Sequence, residues 1–115
     1  MVKHHQVYIP RRGDLIFLDF NPTKGHEQSG HRPAFVISPQ TYNAKTSLAL
    51  LIPITKQRKG YPFEVPLSPN LQIQGVILVD QIKCLDWQVR QVRFVETAPQ
   101  NIVEEVQAKL KPLIF

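Results

Sequence analysis

Apolar residues fall in short runs along this chain, and prolines, glycines and polar residues separate one run from the next. Such a pattern predicts mainly β structure. The predicted strands are Asp14–Phe20, Ala34–Ser38, Leu48–Thr55, Phe63–Leu67, Val76–Val79 and Val89–Val95. The third run is apolar almost throughout, which is typical of a strand that is covered on both faces. Pro53 removes one backbone donor from it, so we expect a bulge or a sheet edge there, with Thr55 turned outward at the strand end.

Two segments have a helical pattern. Thr41–Thr46 is short and predicts about one turn between strands. Pro99–Leu110 is the stronger helix, and its apolar residues recur at helical spacing: Ile102, Val106, Leu110 and Leu113. Pro112 is expected to end or kink this helix. Short strands followed by one terminal helix predict a mainly β (α+β) domain over residues 1–115, an antiparallel sheet or barrel in preference to a two-sheet sandwich.

The composition is that of an ordinary globular domain, with 43% hydrophobic and 20% charged residues among 115. A single cysteine, Cys84, excludes an internal disulfide and fits a reducing compartment; we expect it to be a small buried hydrophobe. No apolar run approaches the roughly 18 residues of a membrane span, and the N-terminus lacks the apolar segment of a signal peptide. We therefore expect a cytoplasmic protein that does not contact membranes.

The positive charge is concentrated in the first half of the chain. The net charge is +5, and it divides into +6 over residues 1–60 and −1 over residues 61–115. A basic region predicts a polyanionic partner, although the same distribution also fits a modest dipole across an unremarkable surface.

The candidate chemistry lies in that basic half. A polar loop ends at His31 and Arg32, immediately before a predicted strand, and Thr55 lies at the end of another strand. Arginine matches phosphate oxygens with a fork of donors, and a hydroxyl adds a donor for an oxygen that gains charge, so the pair indicates a phosphodiester site. Glu27 and His31 are the candidates for a general base, and the choice between them stays open. A surface ion pair with Asp19 or Glu27 is the alternative role for Arg32.

The flanking segments favour an RNA substrate and do not have the spacing of a metal site. The Lys56–Tyr61 segment sets three cations beside an aromatic ring, as in single-stranded nucleic-acid channels, although a solvated turn has the same composition. The loop that opens at Asn21–Gly25 is long enough to act as a lid. His26 and His31 have no further ligands at zinc-site spacing, so we expect no metal.

Several motifs, in order along nearly the whole chain, resemble the MazF/PemK family of toxin endoribonucleases, and the enterobacterial MazF type most of all. They are Arg12–Ile16, Asp19–Gly25, Glu27–Pro33, Pro53–Thr55, Lys59–Val65, Gly75–Val76 and Asp80–Lys83. The resemblance implies an SH3-like barrel with a terminal helix, a homodimer, and no cofactor. It also implies ribosome-independent cleavage of single-stranded mRNA at short motifs, leaving 2′,3′-cyclic phosphate and 5′-hydroxyl ends without metal.

The resemblance also assigns roles to residues. Arg32 and Thr55 fall on the family's catalytic arginine and threonine, and Glu27 lies in the loop for which a catalytic contribution is suggested. The residues expected to contact RNA are Phe20, Lys24, His31, Asn43, Lys59, Asp80 and Gln81, of which Asp80 and Gln81 fall where the family contacts bases. The implied partner is an antitoxin whose acidic, flexible tail covers the RNA groove.

One turn, Ser68–Gln74, differs in length and polarity from close relatives, so the cleavage motif and the antitoxin are expected to differ too. Two other functions stay open. A gyrase-poisoning toxin has the same fold, but such relatives use a tryptophan near the C-terminus, and the single Trp87 lies well before it. A non-catalytic RNA-binding barrel would bind RNA with a strong dependence on salt and would not cut it.

Overall fold

The computed structural model describes residues 7–20 and 30–115. Seven antiparallel strands form one sheet in the order β4-β5-β3-β2-β1-β7, and β6 pairs with the first part of β3. The strands are β1 (Asp14–Asp19), β2 (His31–Val36), β3 (Leu48–Thr55), β4 (Glu64–Pro66), β5 (Val76–Leu78), β6 (Lys83–Asp86) and β7 (Arg93–Thr97). Two helices, α1 (Gln40–Thr46) and α2 (Gln100–Ile114), and a 3₁₀ turn at Val79–Gln81 complete the chain.

Strand β3 lies at the centre of the sheet and has two successive partners on one side. β6 pairs with it from Leu48 to Leu51, and β5 pairs with it at Ile54 and Thr55. Pro53 lies between these two partners, where neither strand needs an amide donor from it. The bulge or sheet edge predicted at Pro53 is wrong, because Pro53 pairs with Ala34 within a central strand. Thr55 does not turn out of the sheet either, since it pairs with Val76 and is buried.

Side chains that alternate along the strands build two hydrophobic clusters. Leu15, Phe35 and Ile52 belong to the larger cluster, on which α2 packs with its buried apolar stripe. The intervening residues Ile16 and Ala34 belong to a smaller cluster around Trp87. Successive strand residues point to opposite faces, so the sheet is covered on both sides, as the apolar character of β3 predicts.

The predicted small antiparallel sheet with a terminal helix is confirmed, and hydrogen bonds do not close the sheet into a barrel, since β4 and β7 end its strand order. Within residues 7–20 and 30–115, no helix has the length and apolar character that crossing a membrane requires.

Other details of the prediction are also wrong. β2 begins at His31 and ends at Val36, so Arg32 lies inside the strand and not before it. β6 was not predicted, because only Cys84 and Leu85 interrupt its polar residues. The last strand begins at Arg93 and not at Val89, because the Asp86 carboxylate accepts the backbone N–H groups of Gln88 and Val89 and folds that segment into a turn. Helix α2 continues through Pro112, which lies in its last turn, where few backbone bonds remain to be lost. Cys84 is exposed.

Candidate active site

The register of β2 and β3 brings Arg32 and Thr55 together. Ala34 pairs with Pro53 in this antiparallel ladder. Arg32 precedes this pair on β2 and Thr55 follows it on β3, so the two residues lie at the same end of neighbouring antiparallel strands. Two residues that lie 23 positions apart in the sequence are thus neighbours because of strand pairing.

Arg32 and Thr55 line one cleft of about 630 Å3. Its floor includes Phe17 and Ile54, and its far wall is the loop between β4 and β5. The Thr55 side chain is only 8% exposed, and its hydroxyl oxygen accepts the backbone N–H of Gln57 at 3.2 Å. Because that bond uses an acceptor site of the oxygen, the hydroxyl hydrogen is left to donate, and no described hydrogen bond gives it an acceptor.

A second cleft, of about 390 Å3, adjoins the first at Thr55 and Gln57, which line both. Lys59, Asp80 and Gln81 line this second cleft. The side-chain oxygen of Gln81 is buried and has no hydrogen-bond partner in the described part of the chain. A buried polar atom without a partner is costly, so this oxygen is suited to accept a donor from a ligand. The two clefts form one groove with Thr55 at its middle.

A buried carboxylate fixes the rim of the second cleft. Glu64 is 7% exposed, and its two oxygens accept the backbone N–H groups of Lys59 and Gly60 at 3.1 and 3.0 Å. The Lys59 ammonium lies 5.9 Å from the centre of the Tyr61 ring, within the range of a cation–π contact. The Lys56–Tyr61 segment therefore presents a cation and an aromatic face together at the groove.

His31 lies beside the first cleft. It is exposed, and its ring stacks on Phe17 with the centroids 6.0 Å apart and the planes at 7°. The guanidinium carbon of Arg93 lies 5.5 Å from the centre of the same Phe17 ring. His31 thus has a neighbour that holds its ring at the margin of the cleft.

Two residues that were expected in the groove belong to the interior of the protein. Phe20 is 1% exposed and packs in the cluster around Trp87. Asn43 is fully buried, and its amide donates to the backbone carbonyls of Pro10 and Ser38 and accepts the Ser38 hydroxyl. Neither side chain lines the two clefts, because each has a packing role that removes it from the surface.

Glu27 and Lys24 lie outside the described residues. Within residues 7–20 and 30–115, no three histidine, cysteine or acidic side chains form a group that could hold a metal ion. The glutamines Gln57, Gln72 and Gln74 line the first cleft and were not among the predicted site residues. Gln72 and Gln74 belong to the Ser68–Gln74 turn and Gln57 to the Lys56–Tyr61 segment, and these two segments are their signal in the sequence.

The arrangement suits the chemistry of a phosphodiester. Arg32 offers a fixed positive charge and several donors, and Thr55 offers a hydroxyl donor from the neighbouring strand. Both act on the same volume, so they can contact one phosphate from two directions.

Known proteins match nearly the whole length of this chain. A family model described as "PemK-like, MazF-like toxin of type II toxin-antitoxin system" matches residues 11–114. The chain is 49% identical over 107 residues to the endoribonuclease toxin MazF of Escherichia coli strain K12, which covers 93% of this chain and 96% of that protein. A crystal structure of MazF from Deinococcus radiodurans matches with a TM-score of 0.91 and 44% identity, over 94% of this chain and 98% of that one. A MazE–MazF complex from the same organism matches with a TM-score of 0.85 and 44% identity, over 94% and 97% of the two chains.

Proposed function

The chain belongs to the PemK-like, MazF-like toxin family and is an endoribonuclease toxin. We propose that its substrate is single-stranded mRNA and that the cleaved phosphate binds in the cleft lined by Arg32 and Thr55. The observation that carries this proposal is that these two side chains line the same cleft, and that Lys59 lines the adjoining second cleft. Cleavage is sequence-specific and independent of the ribosome and of metal ions.

The proposed reaction is an internal transfer. The 2′-oxygen of the ribose attacks the adjacent phosphorus, the bond from phosphorus to the 5′-oxygen breaks, and the products are a 2′,3′-cyclic phosphate and a 5′-hydroxyl. Negative charge builds on the non-bridging oxygens, where the Arg32 guanidinium and the Thr55 hydroxyl stabilise it. A base must accept the 2′-hydroxyl proton, and Glu27 and His31 remain the two candidates for that step. The departing 5′-oxygen takes up one proton, from the protonated base or from water, and this completes the 5′-hydroxyl.

The rest of the groove positions the RNA. Lys59 and Tyr61 suit a phosphate and a stacked base, because cations and aromatic rings side by side bind single strands with little sequence preference. Asp80 and Gln81 supply acceptors in the second cleft. His31 and Lys24, the latter outside the described residues, are the other two residues to which we assign an RNA contact. The second cleft is therefore assigned to binding of the RNA beside the cleaved phosphate, and the Arg32–Thr55 cleft to the phosphate itself.

The partner is an antitoxin with an acidic, flexible tail. The matching complex pairs MazF with MazE, and the cationic groove of this chain suits an acidic segment that competes with RNA. We also propose that the toxin is a cytoplasmic homodimer. Exposed apolar side chains support a self-contact, since Leu50, Ile114 and Phe115 surround one cleft of about 610 Å3. Molar mass in solution, for the chain and for Ile114→Asp, tests this contact.

One long RNA digested with the purified chain tests the function. We expect new 5′-hydroxyl ends at a recurring short motif, and equal activity in EDTA. Arg32→Ala and Thr55→Val each lower kcat/KM by about 100-fold or more, since each removes one group that stabilises the transition state. Arg11→Ala is the matched control, because Arg11 is exposed and lies near the opposite end of the β1–β2 ladder. Unchanged cleavage by Arg32→Ala refutes the assignment.

The same samples separate the two other functions. Salt-dependent RNA binding without new ends identifies a non-catalytic RNA-binding domain. DNA breaks that appear with purified gyrase identify a gyrase poison.

A further inference from the structure

The loop between β4 and β5, residues 67–75, forms the wall of the first cleft that faces Arg32 and Thr55. Its neck is closed by the backbone N–H of Leu67, which donates to the Gly75 carbonyl at 2.9 Å. Gly75 lies directly against the backbone of Thr55, where a Cβ atom would fall 2.2 Å from the carbonyl oxygen. The position of the loop is thus tied to that of the catalytic strand.

A carboxylate on β7 anchors the tip of this loop. The Glu96 side chain accepts the backbone N–H of Ile73 at 2.8 Å, and the Ile73 side chain is 6% exposed in the larger hydrophobic cluster. Within the loop, the Gln74 amide donates to the carbonyls of Ser68 and Pro69 at 3.3 and 3.2 Å. A loop with these internal and external bonds holds one conformation at the cleft.

Gln72 is the polar side chain that this fixed loop leaves available. It lines the cleft and is exposed, and no hydrogen bond within the described residues engages its amide. A neutral amide donates and accepts at once, as the edge of a base does, whereas a phosphate oxygen only accepts. The cations Arg32 and Lys56 in the same cleft already suit phosphate.

We propose that Gln72 is a specificity-determining residue that reads a base next to the cleaved phosphate, and that Glu96 is its positioning residue. The inference rests on the proposed function, because it takes the Arg32–Thr55 cleft as the place where RNA is cut. It assigns part of the sequence preference to the loop between β4 and β5.

A panel of short RNA substrates tests this inference, with each base varied at each position beside the cleaved bond. For Gln72→Ala, we expect the ratio of kcat/KM between the best and worst base to fall about tenfold at one position only. Glu96→Ala gives the same change at the same position, and the double variant is no worse than either single one, because both remove one interaction. Glu96→Gln restores most of the preference, since its amide oxygen still accepts the Ile73 N–H. Gln88→Ala, an exposed glutamine outside both clefts, is the control.

The unfolding midpoint of each variant is measured alongside. If Glu96→Ala lowers kcat/KM equally for all substrates, Glu96 has a merely structural role and the proposal is overturned. Additive effects in the double variant, or an unchanged base preference in Gln72→Ala, also overturn it. If the wild-type chain cuts no RNA at all, the proposed function itself fails, which the wild-type control shows before any variant is compared.

Discussion

Gly75→Ala is predicted to damage both the stability of the protein and its active site. Gly75 has φ +123°, a backbone conformation that side chains rarely adopt, and its missing Cβ would lie 2.2 Å from the Thr55 carbonyl oxygen and 2.8 Å from the carbonyl carbon. Both atoms belong to the backbone of a central strand, so rotation of a side chain cannot relieve the overlap. Either the 67–75 loop or the end of β3 has to move.

The magnitude follows from two terms. The strained conformation costs about 1–3 kcal/mol, and overpacking against a fixed neighbour costs about 1–3 kcal/mol more. We therefore expect a loss of about 2–6 kcal/mol in the free energy of unfolding. Gly60→Ala is the matched control, because Gly60 also has a positive φ, of +76°, but has no atom within 4 Å of its Cβ position. Its loss is about 1–2 kcal/mol, from the conformation alone.

Urea unfolding and cleavage kinetics measure the two effects. A displacement of about 1 Å at the site lowers catalysis by about 100-fold, so the folded Gly75→Ala protein is expected to lose kcat/KM on that scale while Gly60→Ala loses much less. Equal losses of stability in the two variants would refute the reasoning, because the close approach to Thr55 would then carry no energy.

Three further variants test other parts of the structure. Asn43→Ala removes the donor of two buried carbonyls and is expected to cost about 2–5 kcal/mol of stability, measured by urea unfolding. Glu64→Ala frees the backbone amides at positions 59–60 and should speed their hydrogen exchange about tenfold or more. Asp86 accepts the Val89 N–H, which with other bonds lowers the pKa of its carboxyl below the ordinary 3.8. Its stabilising effect is present above the unfolded pKa and lost as pH falls through the folded value. The difference in unfolding free energy between wild type and Asp86→Asn should therefore begin to shrink near pH 4 and disappear only below the lowered folded pKa.

Each of these has an outcome that would contradict it. An Asn43 variant with wild-type stability and impaired RNA binding would mean that Asn43 contacts RNA, as the sequence predicted. Slow exchange at positions 59–60 after loss of Glu64 would mean that other bonds hold the segment. A stability difference for Asp86→Asn that persists in strong acid would have a cause other than the carboxylate charge.

The alternation of apolar residues was enough to predict most of the sheet. β1, β3 and β5 bury residues on both faces, and runs of that kind are visible without a structure. β6 was missed because it is short and polar at both ends, and it forms only because β3 offers it an edge. The start of the last strand was mispredicted because the Asp86 carboxylate bonds backbone N–H groups and forms a turn there. The pattern of apolar residues contains no information about such bonds.

The candidate site was predictable in its centre and less so at its margins. Arg32 and Thr55 were identified from their residue types at strand ends, and pairing of the strands sets them together. Phe20 and Asn43 were misplaced because an aromatic ring or an amide suits a groove and an interior equally well. The role that we propose for Gln72 could not be predicted from its residue type, because it depends on the loop that carries the side chain.

The two ends of the sheet have a consequence for the free toxin. Exposed strand edges invite pairing with other chains and lead to aggregation. Here β4 has three residues and ends in Pro66, while β7 carries the charged Arg93 and Glu96 and pairs with β1 through an irregular register. Short, charged or proline-bearing edges offer a poor template for another strand. We therefore expect these two edges to resist pairing with other chains, so that the toxin without its antitoxin stays dispersed and does not aggregate through its sheet.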